Sequence, residues 1–267
     1  MGHRIETVVF DLDGTLYLNN DFYRDYIHFL LEDTDKVEWE DDLIRYTAGV
    51  CSGEHLVMNT YYRSGVIRSD SSKEFFSRLE EAYLPEMRYE EALCRGDCIY
   101  LGDVWAVVTL IGKALGVLDG ERIETVYRRT REKMSMDGME GNPRLRNAIE
   151  ALGRRCNTVL LSNSYEETAR DFLRQLGFEH VFRKEIFSAN KPWSMAEKLM
   201  EQGVDLDAEP QCVLSVGDHA FNDLMPMGRL GCKTLWVNPF GKIHEPAHDM
   251  AVHTLDELAC CLEGMCW

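Results

Sequence analysis

The sequence has no apolar run near the length of about 20 residues that a membrane-spanning helix requires. Its first residues, MGHRIETVVF, lack a signal-peptide pattern, because Glu6 and Asp11 interrupt any apolar stretch. Gly2 raises N-myristoylation, but Glu6 stands where that signal needs Ser or Thr. Positive charge is scarce: 29 Lys and Arg face 46 Asp and Glu, a net charge of −17. Such a chain repels phosphate backbones, which argues against a nucleic-acid partner. Zinc spacing is also lacking, since Cys94 and Cys98 have no second cysteine or histidine pair to complete a site. The nine cysteines are scattered and odd in number. We read them as free thiols in a reducing cytoplasm, with Cys260, Cys261 and Cys266 set apart as a cysteine-rich tail. There is no internal repeat and no low-complexity linker. These absences together lead us to expect a cytoplasmic protein with no membrane and no nucleic-acid partner.

What is present is a chain of 267 residues, 45% hydrophobic, enough for a proper core and one or two domains. Residues 5 to 10 read as a strand. From about 20 to 135 the pattern is helical. DFYRDYIHFLLED places Phe22, Tyr26, Phe29 and Leu30 on one face. SSKEFFSRLEEAYL, GDVWAVVTLIGKALG and GERIETVYRRTREKM add further helices, and no strand is expected there. From about 140 short apolar strands alternate with amphipathic helices. Asn142 and Pro143 suit the cap and first position of a helix. TVLLS, CVLSVGD and KTLWVN read as buried strands, HVFRKEIFSA as a short strand with a loop. YEETARDFLRQLG, KPWSMAEKLMEQG, AFNDLMPMGRLG and TLDELACCLEG read as helices. Such alternation implies an α/β fold, a doubly wound parallel sheet with helices on both faces. The first strand has no other partner, so it must join that sheet. We therefore expect a core domain of residues 1–18 and 136–267, with a helical domain of residues 19–135 inserted after the first strand.

In open α/β sheets ligands bind beyond the carboxyl ends of the strands. The residues expected there are Asp11 and Asp13 after VVF, Ser162 and Asn163 after TVLL, Asp218 after LSVG with Asp223 five further on, and Lys191 after EIFSA. Two acids ending a buried strand need a reason. A hard cation such as Mg²⁺ both tolerates and requires a carboxylate cluster. With it, one carboxylate can attack phosphorus while a second, its pKa raised by the first, serves as acid. A calcium loop is the weaker reading, because Thr15 and Phe22 stand at its positions five and twelve, where a ligand and a glutamate belong.

Four motifs, DLDGT at 11–15, LLSNS at 160–164, Lys191–Pro192 and GDHAFND at 217–223, resemble those of the haloacid dehalogenase-like (HAD) hydrolases, in order and on the expected elements. The resemblance covers about 5–18 and 140–265. It implies a Rossmann-like core with an all-helical cap that closes over the site and selects the substrate. It implies that Asp11 is the nucleophile, forming an aspartyl-phosphate, and that Asp13 is the acid and base, its backbone carbonyl ligating Mg²⁺. Ser162 and Lys191 would hold the phosphoryl oxygens, with Gly14, Thr15 and Asn163 completing the substrate-binding set. Asp218 would ligate Mg²⁺ directly, and Asp223 from outside or through water. Family dehalogenases lack an acid at the position of Asp13, because halide leaves without a proton. The expected function is a Mg²⁺-dependent phosphomonoesterase acting on a small phosphorylated metabolite, with a nucleoside monophosphate as a candidate. A phosphosugar mutase, or a protein-binding module with a regulatory core, are the alternatives.

Other residues have plainer readings. Ser164 suits the N-cap of the helix that follows it. Trp39, Trp193 and Trp236 read as packing residues. Arg63, Arg68 and Arg88 read as solvated helix charges, and His219 as a structural neighbour of the site.

Overall fold

A strand buried on both faces reads as a near-continuous apolar run, and TVVF, with three apolar residues after a β-branched threonine, fits. It forms β1 (Thr7–Phe10), with all four residues buried. The computed structural model describes residues 4–240 and 244–264. Gly2 and Cys266 lie outside them. The described chain falls into two compact units. One comprises residues 4–18, 138–239 and 246–264, and the other residues 19–137 with Phe240, His244 and Glu245.

The inserted unit follows β1 and the turn after it. Its helices are α1 (Tyr23–Leu31), α2 (Glu40–Ser52), α3 (Ser72–Glu80), α4 (Tyr89–Leu93), α5 (Val104–Leu115) and α6 (Gly120–Asp137). α1 buries Tyr23, Tyr26, Ile27 and Leu30 at helical spacing. α5 is the most apolar helix and is buried on nearly every side. Asp103 caps it by accepting from the Ala106 N–H at 2.6 Å. The expectation of no strand in this unit is corrected. β2 (Tyr61–Arg63) and β3 (Cys98–Tyr100) form an antiparallel ribbon in which Tyr62 faces Ile99. Three-residue strands are too short to show a period-2 pattern, so neither was readable.

The rest of the chain builds the larger unit. In order come α7 (Pro143–Leu152), β4 (Asn157–Leu161), α8 (Glu166–Gln175), β5 (Lys184–Ile186), α9 (Met195–Glu201), β6 (Val213–Gly217), α10 (Met225–Arg229), β7 (Lys233–Val237), β8 (Met250–Val252) and α11 (Leu255–Gly264). Asn142 accepts from the Leu145 N–H at 2.9 Å and Pro143 opens α7, as expected. The six strands form one parallel sheet, ordered β5-β4-β1-β6-β7-β8. β8 was not foreseen, for the same reason as the ribbon. Val9, Val159, Leu161 and Val213 pack with Met195, Leu199 and Met227 in one apolar cluster. Successive side chains of a strand point to opposite faces, so Val8 and Phe10, both fully buried, serve the other side. Among the described residues no helix is long and apolar enough to cross a membrane.

Candidate active site

Strand order decides which residues meet. β1 lies between β4 and β6, with Phe10 level with both Leu160 and Val216. The residues that follow, Asp11, Ser162 and Asp218, therefore leave the sheet side by side at its carboxyl edge. The Asp11 N–H donates to the Val216 carbonyl at 2.9 Å, which extends the ladder to the acid itself.

Lys191 stands at the centre of the cluster. Its Nζ donates to Asp11 Oδ1 and to Asp223 Oδ1, each at 2.6 Å. All three side chains are buried, and the Lys191 side chain is only 3% exposed. Burial favours the neutral amine, but the charges of Asp11 and Asp223 outweigh it and hold the lysine pKa above its ordinary value. Burial pushes the Asp11 carboxyl up to about 7, against the pull of Lys191 and with help from Asp223 and Asp13.

The loop that delivers Lys191 is pinned to the loop after β4. The Ser188 and Ala189 N–H groups donate to the Ser164 and Ser162 carbonyls, both at 3.0 Å. Asn163 accepts from the Lys191 N–H at 2.7 Å and donates to the Lys191 carbonyl at 3.3 Å. Its amide, expected to meet substrate, grips the lysine backbone instead. Ser162 Oγ accepts from the Ser164 N–H at 3.1 Å, which leaves the Ser162 hydroxyl proton available to an anion.

Gly14 and Thr15 are also expected to bind substrate. Gly14 has φ +72°, and a Cβ there would collide with the Asp218 carboxylate. Glycine is thus what lets the acid approach the turn. Thr15 is fully buried, and its hydroxyl has no hydrogen-bond partner among the described residues. Asp13 sits half-buried with both oxygens engaged. Tyr17 Oη donates to Oδ1, and Ser164 Oγ donates to Oδ2 at 2.6 Å. The expectation that Ser164 caps α8 is therefore corrected. Tyr165 occupies the cap position, with no side-chain cap bond.

Asp223 is held from several sides. Its Oδ2 accepts from the His219 N–H at 3.1 Å, and its carbonyl accepts from Ser215 Oγ at 2.8 Å. A wide π-type turn over Ala220–Leu224 presents it, and a Cβ on Gly217 would collide with it. Trp236, expected only to pack, also donates its indole N–H to the Asp218 carbonyl at 3.0 Å. Trp193 is not a packing residue: it is 59% exposed and meets the Phe221 ring edge-on. Tyr17 and Trp236 are the site residues that sequence reasoning missed. The spacing of Tyr17 four residues after Asp13 was the available signal for one, and nothing pointed to the other.

Asp11, Asp218 and Asp223 each offer a carboxylate oxygen, and these oxygens lie within 4.8 Å of one another. The donor set is all oxygen and anionic, which fits a hard divalent cation such as Mg²⁺ and not a soft metal. The Asp13 carboxylate is not among the three.

An open parallel sheet that gathers buried acids and a lysine at its carboxyl edge defines an α/β enzyme site at a topological switch point. A family model described as haloacid dehalogenase-like hydrolase matches residues 5–231, and the chain belongs to that family. Among solved structures it is similar to YfnB of Bacillus subtilis, a magnesium-bound structure, with TM-score 0.54, 16% identity, and 97% and 99% of the two chains covered. It is similar to a HAD phosphatase from Thermococcus onnurineus, with TM-score 0.50, 18% identity, and 97% and 99% covered. It is also similar to the L-2-haloacid dehalogenase of Xanthobacter autotrophicus, with TM-score 0.50, 16% identity, and 98% and 100% covered. At these identities the likeness is one of fold. No curated protein matches the chain.

Proposed function

We propose that the protein is a Mg²⁺-dependent phosphomonoesterase of the cytoplasm, acting on a small phosphorylated metabolite through an aspartyl-phosphate on Asp11. The observation that carries this reading is Asp13: a carboxyl two residues beyond Asp11, held by two hydroxyl donors in the same site. A departing alkoxide needs a proton and a halide does not, so an acid there favours phosphate esters over haloacids.

Asp11, Asp218 and Asp223 are the residues that would hold Mg²⁺, whose charge would offset that of the phosphate. Lys191 stays charged and sets an ammonium beside the nucleophile, where it offsets charge on the transferring oxygens. Ser162 offers its hydroxyl proton to the same oxygens. Asp13 protonates the leaving oxygen and then takes a proton from the attacking water. Nucleoside monophosphates are the substrate class we would try first. With a net charge of −17, neither nucleic acid nor an anionic membrane surface is proposed as a partner.

The test is turnover of p-nitrophenyl phosphate. It is expected to require Mg²⁺, to stop with EDTA, and to vanish in Asp11→Asn. Turnover that survives either change overturns the proposal, as does halide release from 2-haloacids with no phosphatase activity. Conversion of a sugar 1-phosphate to its 6-phosphate without release of phosphate would assign a mutase instead.

A further inference from the structure

Asp13 is gripped by two hydroxyls that none of the four motifs assigns a role. Tyr17 reaches Oδ1 from the turn after β1, and Ser164 reaches Oδ2 from the loop after β4. Both donors are themselves fixed. Tyr17 is 3% exposed and stands edge-on to Phe172, with ring centroids 5.9 Å apart. Ser164 is buried, donates its N–H to Ser162 Oγ, and accepts at its carbonyl from the Ser188 N–H. A carboxyl bound at both oxygens cannot turn about its Cβ–Cγ bond without breaking both contacts. Each oxygen keeps a further lone pair, so the grip leaves room for the proton.

We propose that Tyr17 and Ser164 are positioning residues that hold the Asp13 carboxyl in the orientation from which it protonates the leaving group. The inference rests on the phosphomonoesterase reading of the same site. In the step concerned, a lone pair of an Asp11 carboxylate oxygen forms the new O–P bond. The ester P–O bond breaks, and its electron pair stays on the leaving oxygen. That oxygen takes the proton from Asp13, which is left as a carboxylate accepting from both hydroxyls. The products are the free alcohol and the aspartyl-phosphate.

The consequence is a change in sensitivity to the leaving group. p-Nitrophenolate is a weak base and departs without a proton, whereas phenolate is stronger and gains from one. The two esters are otherwise close in shape. kcat/KM reports the steps up to transfer to Asp11 and leaves out hydrolysis of the intermediate. General acid catalysis contributes roughly 10²–10⁴-fold, so Tyr17→Phe and Ser164→Ala should each lower kcat/KM for phenyl phosphate about tenfold more than for p-nitrophenyl phosphate. Tyr17→Phe keeps the ring and its contact with Phe172, and Ser164→Ala supplies an independent variant should the first fail to fold. A merely structural role would lower both esters together. A phenyl to p-nitrophenyl ratio equal to wild type in both variants overturns the proposal. A wild-type protein that hydrolyses neither ester overturns the phosphomonoesterase reading, and this inference with it.

Discussion

Lys191 balances two buried acids, and its removal should be felt before any substrate is added. Breaking a buried ion pair from one side costs about 3–5 kcal/mol, because the partner charge is left uncompensated. Lys191→Met is therefore expected to lower unfolding free energy in urea by an amount of that order, and Mg²⁺ should restore part of it. Asp11 carries a pH dependence whose sign follows from its raised pKa. The ordinary value is 3.8 and the buried value about 7. Its contribution to metal-free stability is complete below the lower figure and lost as pH rises through the higher. Protons and Mg²⁺ thus compete for one carboxylate. Thermal unfolding should show a larger stabilisation by MgCl₂ at pH 8 than at pH 5.5, and Asp11→Asn should flatten the difference. Gly14→Ala would add left-handed strain of about 1–2 kcal/mol and push against Asp218. Titration calorimetry should find Mg²⁺ affinity reduced about tenfold or more, the equivalent of about 1.4 kcal/mol. At this scale Asp11, Asp218 and Lys191 were legible because several charged groups fell after successive predicted strands, and an open parallel sheet gathers such positions at one edge. The engagements of Asn163 and Ser164 were not, since a short polar side chain after a strand has several partners within reach and sequence does not rank them.

The strands, β5 apart, were legible in proportion to their length. Four-residue β1 and five-residue β4, β6 and β7 showed as apolar runs, and α7 announced itself through Asn142 and Pro143. The ribbon of β2 and β3, and the edge strand β8, have three residues each and are defined by their partners more than by their own composition. The same dependence on partners explains Trp236. Its ring would pack wherever β7 was buried, but its bond to Asp218 exists only because β6 and β7 are neighbours. Trp236→Phe keeps an aromatic ring and removes that hydrogen bond. Urea unfolding should register a loss of about 0.5–1.5 kcal/mol.

For the molecule as a whole, the charge of −17 opposes the arrival of an anionic substrate at a site that must accept one. Screening should relieve that opposition. Raising monovalent salt from about 10 mM to about 150 mM shortens the Debye length from roughly 30 Å to roughly 8 Å. At fixed Mg²⁺, kcat/KM for a phosphate dianion is expected to rise over that interval, and stopped assays across a salt series would show it. The two-unit organisation has a further consequence, and it concerns the ribosome. β1 leaves the exit tunnel before its neighbours in the sheet, which begin at Asn157 and Val213. At about 5–20 residues per second, the second of these arrives roughly 10–40 s later. Until Asn157 emerges TVVF has neither neighbour to pair with, and until Val213 emerges one of its edges stays open. The strand that leads into Asp11 is thus made well before the two that flank it, and chaperones that shield emerging apolar segments have work at β1 until both have followed.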